Sequence, residues 1–542
     1  MANNNIRSLS SRKGLEENLF ESIGQLVEKK ATEVEFKDLA KRFLIDESVI
    51  FGTASFYDFL KPQHRDHKIR ICNGTACMVA NTQNKLHDHL ADYFKPNEIG
   101  HVACVGRCHT NHAILFDGHT YSLDSEAAMK ELFKKEGQPY VQENKYHIGS
   151  GDTSILSSPI PGLAEFYKST EHLIENPEKA INELKISNLR GRGGAGFPFW
   201  FKLDAAKKEQ NKQKYIVCNA DEGDPGAYSD MYIMEHQPHK LLFGMYAAGK
   251  CAGADSGVIY IRGEYPDSIR KINVAINELA EQKLLNGFKF KVIKGQGSYV
   301  CGEETALLNS IEGLRPEVRV RPPFPAQYGL FGKPTVLSNV ETFANIHWIL
   351  ANGGNAFSAL GKSPSTGTKL VSLDSFFRRP GIYEIEMGTP MSQVFNDYGK
   401  GFKTGLKAFQ IGGPLGGIVP MEKINDLTLD FESFSKNGFL LGHASVVSIP
   451  TEFPMIKYLE HLLKFTADES CGKCYPCRIG SQRGYELVFK SQTEGYKIDR
   501  KLFDDLMETL ELGSLCALGG GLPLPLKNAL QYFEEELKTY FR

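Results

Sequence analysis

The sequence predicts a multidomain chain of α/β and α class, on three observations. Its 542 residues exceed what one core fills, at roughly 150 residues per domain. Strand, Gly-rich loop and helix patterns follow one another between about residues 180 and 350, while helical periodicity dominates the two ends. A polar stretch rich in Gly, Ser and Pro, GQPYVQENKYHIGSGDTSILSSPIPG, separates the first unit from the rest.

Taken in order, Leu15, Leu19, Ile23, Leu26 and Val27 recur at helical spacing, and FKDLAKRFLI follows them. KIRICNGTAC is a short strand entering a Gly-containing loop, and HVACVGRCHTNHAILFDG is strand, loop, strand. Residues 1–135 therefore form N-terminal helices plus a small α/β unit, and 136–165 form a linker. KYIVCNA and SGVIYIRG are strands leading into turn residues. ETALLNSIEG is a helix with Ala306, Leu307, Leu308 and Ile311 on its inner face and Gly313 as its stop. These place an α/β domain over residues 166–365. Residues 366–445 are strand-rich (KLVSLD, GIYEIEMG, AFQIGG) and predict a small β-grasp-like domain; residues 446–542 are mostly helical.

Composition narrows the class of function. Apolar residues make up 41% and charged residues 24%, and 63 basic against 65 acidic residues leave a formal charge of −2. That balance argues against nucleic acid or an acidic membrane as the main partner. No run approaches the roughly 18–20 apolar residues of a membrane span. The start, MANNNIRSLSSRKGLEENLF, has no signal-type apolar stretch, so the expected location is cytoplasmic, without membrane insertion.

Eleven cysteines in such a chain point to metal rather than disulfides. Cys471, Cys474 and Cys477 have two residues between neighbours, and 38 residues separate Cys477 from Cys516. Three thiolates in one tight loop and one remote thiolate suit a cubane iron–sulfur cluster. Four thiolates suit zinc equally well. At the other end, Cys72 and Cys77 form one pair and Cys104 and Cys108 a second, the geometry of a [2Fe–2S] rhomb with one pair for each iron. His101, His109 and His112 lie near and are given no metal role. Cys218, Cys251 and Cys301 are isolated and read as core thiols.

Three further segments are candidates for binding. LRGRGGAGFPFWFK brings Gly191, Gly193, Gly194 and Gly196 into one loop before a helix, so that backbone N–H groups can approach a phosphate, with Arg190 and Arg192 adding charge. It is not the GxGxxG dinucleotide fingerprint. CNADEGDPGAYSD offers Asn219, Asp221, Glu222 and Asp224: either a solvated acidic turn or a set of acceptors for a flavin and a ribose. GSYVCGEETALLN sets Glu303 and Glu304 at a helix start, where capping alone accounts for them.

Together, RGRGGAGFP, CNADEGDPG, YVCGEETALLNSIEG, PPFPA, GKPT, NVET, ESCGKCYPCR and LCALG resemble, in order, the NADH-binding flavoprotein subunit of respiratory complex I and its relatives. The N-terminal unit resembles the small thioredoxin-like [2Fe–2S] subunit of the same enzymes, fused here to the flavoprotein. The fusion is similar to the diaphorase subunits of soluble NAD-linked formate dehydrogenases and of bidirectional NAD-reducing hydrogenases. The ending SLCALGGGLPLPLKNALQYF resembles the formate dehydrogenase type more closely.

The resemblance implies a Rossmann-like FMN and NADH domain, and FMN held by Gly191, Gly193, Asn219, Asp221, Glu222, Tyr299, Gly302, Glu303 and Asn339. NADH would be contacted by Phe197, Lys202, Asp224, Glu304 and Phe324, with Arg192, Ser338 and Thr342 completing the pocket. It implies one [4Fe–4S] cluster on Cys471, Cys474, Cys477 and Cys516, and one [2Fe–2S] cluster on Cys72, Cys77, Cys104 and Cys108. Glu222 is expected to be the catalytic carboxylate, orienting ligand at the reacting flavin edge. Hydride would pass between NAD(H) and FMN, and single electrons to or from the catalytic subunit of a larger oxidoreductase. Ser338, Met231, FPFWFK and LRPEVR depart from the family pattern, which bears on NAD against NADP preference. The competing readings are an input module of complex I, a structural subunit with a degenerate flavin pocket, and a zinc-stabilised binding module.

Overall fold

The computed structural model describes residues 14–134, 142, 144–362 and 364–542. The N-terminal residues 1–13 and residues 136–141 and 143 of the expected linker lie outside the described residues. Among the described residues no helix is long and apolar enough to cross a membrane.

Helices α1 (Leu19–Glu28), α2 (Glu33–Arg42) and α3 (Glu47–Ala54) open the chain. The small α/β unit that follows carries β1 (Ile69–Cys72), β2 (Ile99–Val102), β3 (Ala113–Phe116) and β4 (His119–Ser122) in the order β2-β1-β3-β4. Strand β5 (His147–Ser150) comes next. The central domain is a parallel sheet of β6 (Tyr215–Ala220), β7 (Ser256–Ile261), β8 (Lys289–Lys294) and β9 (Thr335–Asn339), in the order β8-β7-β6-β9. A two-stranded hairpin, β10 (Gly361–Lys362) and β11 (Ser365–Thr366), leads into β12 (Thr368–Leu373), β13 (Gly381–Glu386), β14 (Leu406–Ile411), β15 (Ile418–Pro420) and β16 (Ser445–Pro450). Helices Met455–Glu469, Ser481–Thr493, Arg500–Gly513 and Pro523–Tyr532 complete the chain.

Packing departs from the expected division in three places. First, α1–α3 do not share a core with the small α/β unit. A parallel sheet needs both faces covered. On β6, Ile216, Cys218 and Ala220 join the core formed with helices such as Pro238–Ala252, whereas Tyr215 and Val217 point the other way. That second face is filled by Leu19, Phe20, Ile23, Val27, Phe36 and Leu39. Each such buried side chain contributes roughly 1.5–3 kcal/mol. Asn18 caps α1 and also donates to Ile311 O at 2.8 Å, tying the helix to the central domain.

Second, the expected linker contributes β5, which pairs parallel with β13, His147 opposite Gly381. Its continuation is clasped. Glu384 accepts from the backbone N–H groups of Ile155, Leu156 and Ser157, and Lys240 donates to the carbonyls of Ile155, Leu156 and Ser158. Third, β16 crosses the expected boundary at 446. It stands inside the six-stranded sheet β15-β14-β16-β12-β13-β5, between β14 and β12.

Candidate functional site

Strand β6 lies between β7 and β9, and the chain reverses its direction of travel across the sheet at the β6–β9 gap. Open α/β sheets bind ligands at such switch points, beyond the carboxyl ends of the strands. Asn219 and Asn339 are paired in register there, with Ser338 buried one residue earlier. The loop 189–198 closes over this edge. Gly191 N–H donates to Phe197 O at 2.8 Å, Phe199 N–H to Leu189 O at 3.0 Å, and Arg190 Nε to Gly196 O at 2.6 Å. An added Cβ at Gly193 would lie 3.0 Å from Asn339 Cβ, so a side chain here would push Asn339 or the loop outward by a few tenths of an ångström.

The acidic turn borders the same edge. Asn219 Nδ2 donates to Gly302 O at 2.7 Å, and Asp221 N–H to Asn219 Oδ1 at 3.1 Å. Burial pushes the Asp221 carboxyl well up, and its Oδ2 has no protein partner. Asp224, raised by burial, accepts from Tyr299 OH at 2.7 Å. Glu303 caps helix Glu304–Ile311, accepting from Thr305 and Ala306 N–H at 2.9 Å each. The outer rim is ionic and aromatic. Glu304 meets Lys202 at 3.3 Å and Arg321 at 2.7 Å. Phe197 is 45% and Phe324 53% exposed, large ring surface for one rim. Phe201, 52% exposed and edge-on to Phe197, belongs to this rim and carried no motif signal.

Two expected site residues have their side chains engaged by protein groups. The Arg192 side chain turns away from the pocket: Nη2 donates to Thr366 O at 2.6 Å and Nη1 meets Met387 Sδ, with the residue fully buried. Burial brings its pKa down to about 10. Only its N–H, donated to Thr342 Oγ1 at 2.9 Å, faces the loop. Glu222 is likewise not a free carboxylate. Its Oε1 accepts from Asp230 N–H at 2.9 Å and Ser229 Oγ at 3.2 Å, and its Oε2 from Met231 N–H at 3.0 Å and Tyr265 OH at 3.2 Å. Its carboxylate is held by the first turn of helix Ser229–His236, an arrangement that suits positioning. Glu222→Gln is therefore expected to lower flavin occupancy and cost about 1–3 kcal/mol in thermal unfolding. Wild-type stability with hydride transfer lost would favour the catalytic assignment.

The cysteines fall into two sets, the first buried throughout and the second half-buried at Cys474 and Cys516. Cys104 and Cys108 have sulfurs 3.5 Å apart, and Cys72 borders Cys77 and Cys104. Cys108 also accepts from Gly226 N–H at 3.2 Å. The second set joins Cys471, Cys474 and Cys477, around the turn after helix Met455–Glu469, to Cys516 at the start of Ala517–Gly520. Burial raises the Cys477 thiol to about 11 and the Cys516 thiol to about 12. A tetrahedral zinc at about 2.3 Å from each sulfur would bring all four within about 3.8 Å of one another. Among the described residues no three cysteine sulfurs lie within 4.8 Å of each other, a looser spacing than that of a bound tetrahedral zinc. His109 is buried, packed between the rings of Tyr146 and Tyr228.

The one His/carboxylate group within 4.8 Å among the described residues is Glu222, Asp230 and His443, which brings together residues from two domains. Asp230 ends the quoted acidic segment, but His443 had no sequence signal.

Comparison with known proteins agrees with this geometry. Residues 23–136 match the family model of a thioredoxin-like [2Fe–2S] ferredoxin, residues 184–348 the Nuo51 FMN-binding domain, and residues 457–540 the iron–sulfur binding region of NADH-ubiquinone oxidoreductase-F. The chain is 40% identical over 400 residues to the NADP-reducing hydrogenase subunit HndC of Solidesulfovibrio fructosivorans, covering 72% of this chain and 80% of that one. It is 39% identical to the F component of NADH-quinone oxidoreductase from Escherichia coli (strain K12), covering 67% and 84%. A chain of an NAD⁺-reducing [NiFe]-hydrogenase, in the air-oxidized state, superposes with a TM-score of 0.87 at 27% identity, over 99% of this chain and 94% of that one. FMN, a [4Fe–4S] cluster and a [2Fe–2S] cluster are the cofactors of these domains.

Proposed function

Because the chain belongs to the NADH-binding flavoprotein family that includes the F component of NADH-quinone oxidoreductase, with a thioredoxin-like [2Fe–2S] unit in the same chain, we propose that it is the diaphorase subunit of a multisubunit oxidoreductase. The observation that carries this reading is a flavin-type switch-point pocket in the same chain as a cubane-spaced cysteine set. When bound, FMN accepts or returns a hydride and deals with clusters one electron at a time, which is why both belong to one chain.

The residues divide the work. Asn219, Asp221, Gly302, Asn339 and the Gly191–Gly193 loop supply polar groups and close backbone approach for FMN, and the unpaired Asp221 Oδ2 awaits a donor. Thr342 and Asn339 fix the loop and the helix start behind it. At the rim, Phe197, Phe201 and Phe324 offer ring faces to the dinucleotide bases. Lys202 and Arg321 offer charge to its pyrophosphate, and Glu304 an acceptor to a ribose hydroxyl. Tyr299 ties Asp224 to the fourth domain, since its N–H donates to Glu469 Oε2 at 2.8 Å, two residues before Cys471. Beside Cys474 and Cys516, Tyr475 and Leu512 are 69% and 78% exposed, an apolar collar suited to a partner subunit that takes or supplies electrons.

Three parents stand for that partner, and the 39% identity to the F component of NADH-quinone oxidoreductase supports a complex I-like enzyme, which would reduce NAD⁺ with neither hydrogen nor formate. The near full-length likeness to the NAD⁺-reducing hydrogenase chain favours a hydrogenase. The C-terminal segment 514–533 favours an NAD-linked formate dehydrogenase. The test is NAD⁺ reduction by the natively purified complex, offered hydrogen in one cuvette and formate in another. Reduction with one substrate alone assigns the parent. A complex that lacks flavin and fails to reduce artificial acceptors with NADH removes the diaphorase reading itself.

A further inference from the structure

Resting on that flavoprotein reading, we propose that His443, carried by the β-grasp-like domain, is the positively charged counter-ion of the flavin pocket, pairing with Asp230 and Glu222 and positioning Asn339 through them. The turn before β16 drives this side chain into the neighbouring domain: Ala444 N–H closes on Leu441 O at 3.0 Å, and Gly442 and Ala444 both have positive φ. Nε2 of His443 then lies 3.4 Å from Asp230 Oδ2 and 3.6 Å from Glu222 Oε1. The three side chains are 6%, 2% and 0% exposed.

Two carboxylates buried this close cannot both ionise without a cation. Among the described residues no Lys or Arg reaches either of them. Arg262 donates to the Glu222 backbone carbonyl and to Glu264, and Lys369 pairs with Glu341. His443 is thus the cation available. Burial works against its charged form, but the hydrogen bond and charge of Asp230, with Glu222 behind it, hold its pKa up at about 9. Burial and Asp230 raise Glu222 to about 7, against the pull of His443. The other ionisable groups facing the imidazole are Asp224, on the turn with Glu222, and Lys369, on β12; Tyr265 OH meets Glu222 from the far side.

The link to the pocket is short. Asn339 Nδ2 donates to Asp230 Oδ2 at 2.6 Å, while Asn339 itself borders Gly193. The backbone of Gly442 and His443 also lines Gly194, at 3.5–3.7 Å from where its Cβ would be. His443 touches no substrate; it acts through Asp230. A fixed cation here favours added negative charge on bound FMN, and so a higher flavin midpoint potential. With His443 protonated and Glu222 ionised, the site takes up little proton on flavin reduction at about pH 8, between the two values.

The test uses the natively purified complex as wild type, His443→Gln, His443→Lys and the double variant His443→Gln/Glu222→Gln. One readout is the flavin midpoint potential against pH. The other, independent of flavin, is the infrared carbonyl band of protonated carboxylic acids in flavin-stripped protein. The Gln variant is expected to gain one carboxylic-acid band that the double variant lacks, the proton replacing the lost cation, and to show a midpoint potential below wild type only at pH values where that acid has ionised. The Lys variant is expected to restore wild-type behaviour in both. The proposal is overturned if the Gln variant keeps the wild-type potential and gains no band. It is equally overturned if the Lys variant behaves like the Gln variant, or if a stoichiometric metal other than iron leaves on substitution. A wild type without flavin would count against the flavoprotein reading alone, and the infrared arm would still decide the counter-ion.

Discussion

Replacing Cys516 by serine is expected to remove the cubane EPR signal and to cut partner-linked NAD⁺ reduction more than a hundredfold. Loss of an outer-shell partner already costs about 10–100-fold, so loss of a ligand costs more. The flavin and the rhombic [2Fe–2S] signal should persist. The reason lies in where Cys516 comes from. Cys471, Cys474 and Cys477 wrap one turn, but Cys516 enters from beyond helix Arg500–Gly513 and supplies the fourth side. Its thiol is held neutral by burial, at about 12, so cluster loading must expel a proton that serine holds more tightly still. The checks are EPR of the reduced complex, iron content, and NADH oxidation with a flavin-level dye. A full cubane signal in Cys516→Ser would remove this residue from the ligand set.

Cys516 also illustrates what the sequence could disclose. Its partners sit within seven residues of one another, and local spacing announces local chemistry. The same holds for Asn219–Asp224 and Gly191–Phe197, whose polar and glycine residues are consecutive because one turn must bring them to one ligand. What stayed hidden was decided by distant packing. The apolar stripe of α1 shows that the helix is amphipathic, but not that it covers Tyr215 and Val217, roughly two hundred residues away. Strand β5 is short and polar, with burial alternating only weakly, so its pairing with β13 left no period to read. Side-chain direction is also invisible. Arg192 sits in a loop that approaches the cofactor, yet its guanidinium runs to Thr366 and Met387. His443 lies more than two hundred residues from the carboxylates it meets.

Glu341 completes that argument, since it stands inside the NVET motif between two pocket residues, Asn339 and Thr342, and yet points away from the pocket. Its carboxylate pairs with Lys369 on β12, both side chains fully buried, and also accepts from Leu370 N–H at 3.0 Å. The pair therefore fastens the helix Val340–Ala344, which carries the pocket edge, to the β-grasp-like sheet. Lys369→Met is expected to destabilise the chain by about 3–5 kcal/mol, because it strands a buried carboxylate, and to release flavin at lower temperature. The double change Lys369→Met/Glu341→Leu removes both charges and should recover most of that loss, since a well-packed apolar pair can replace a buried ion pair at little cost. Unfolding of a chain with three cofactors is not two-state, so the comparison is between matched thermal scans, with flavin fluorescence reporting release. Equal stability of the single and double variants would mean that the motif's glutamate serves the ligand and not the joint. Recovery in the double variant would mean that part of what looks like a binding signature is the fastening that holds the binding edge in place.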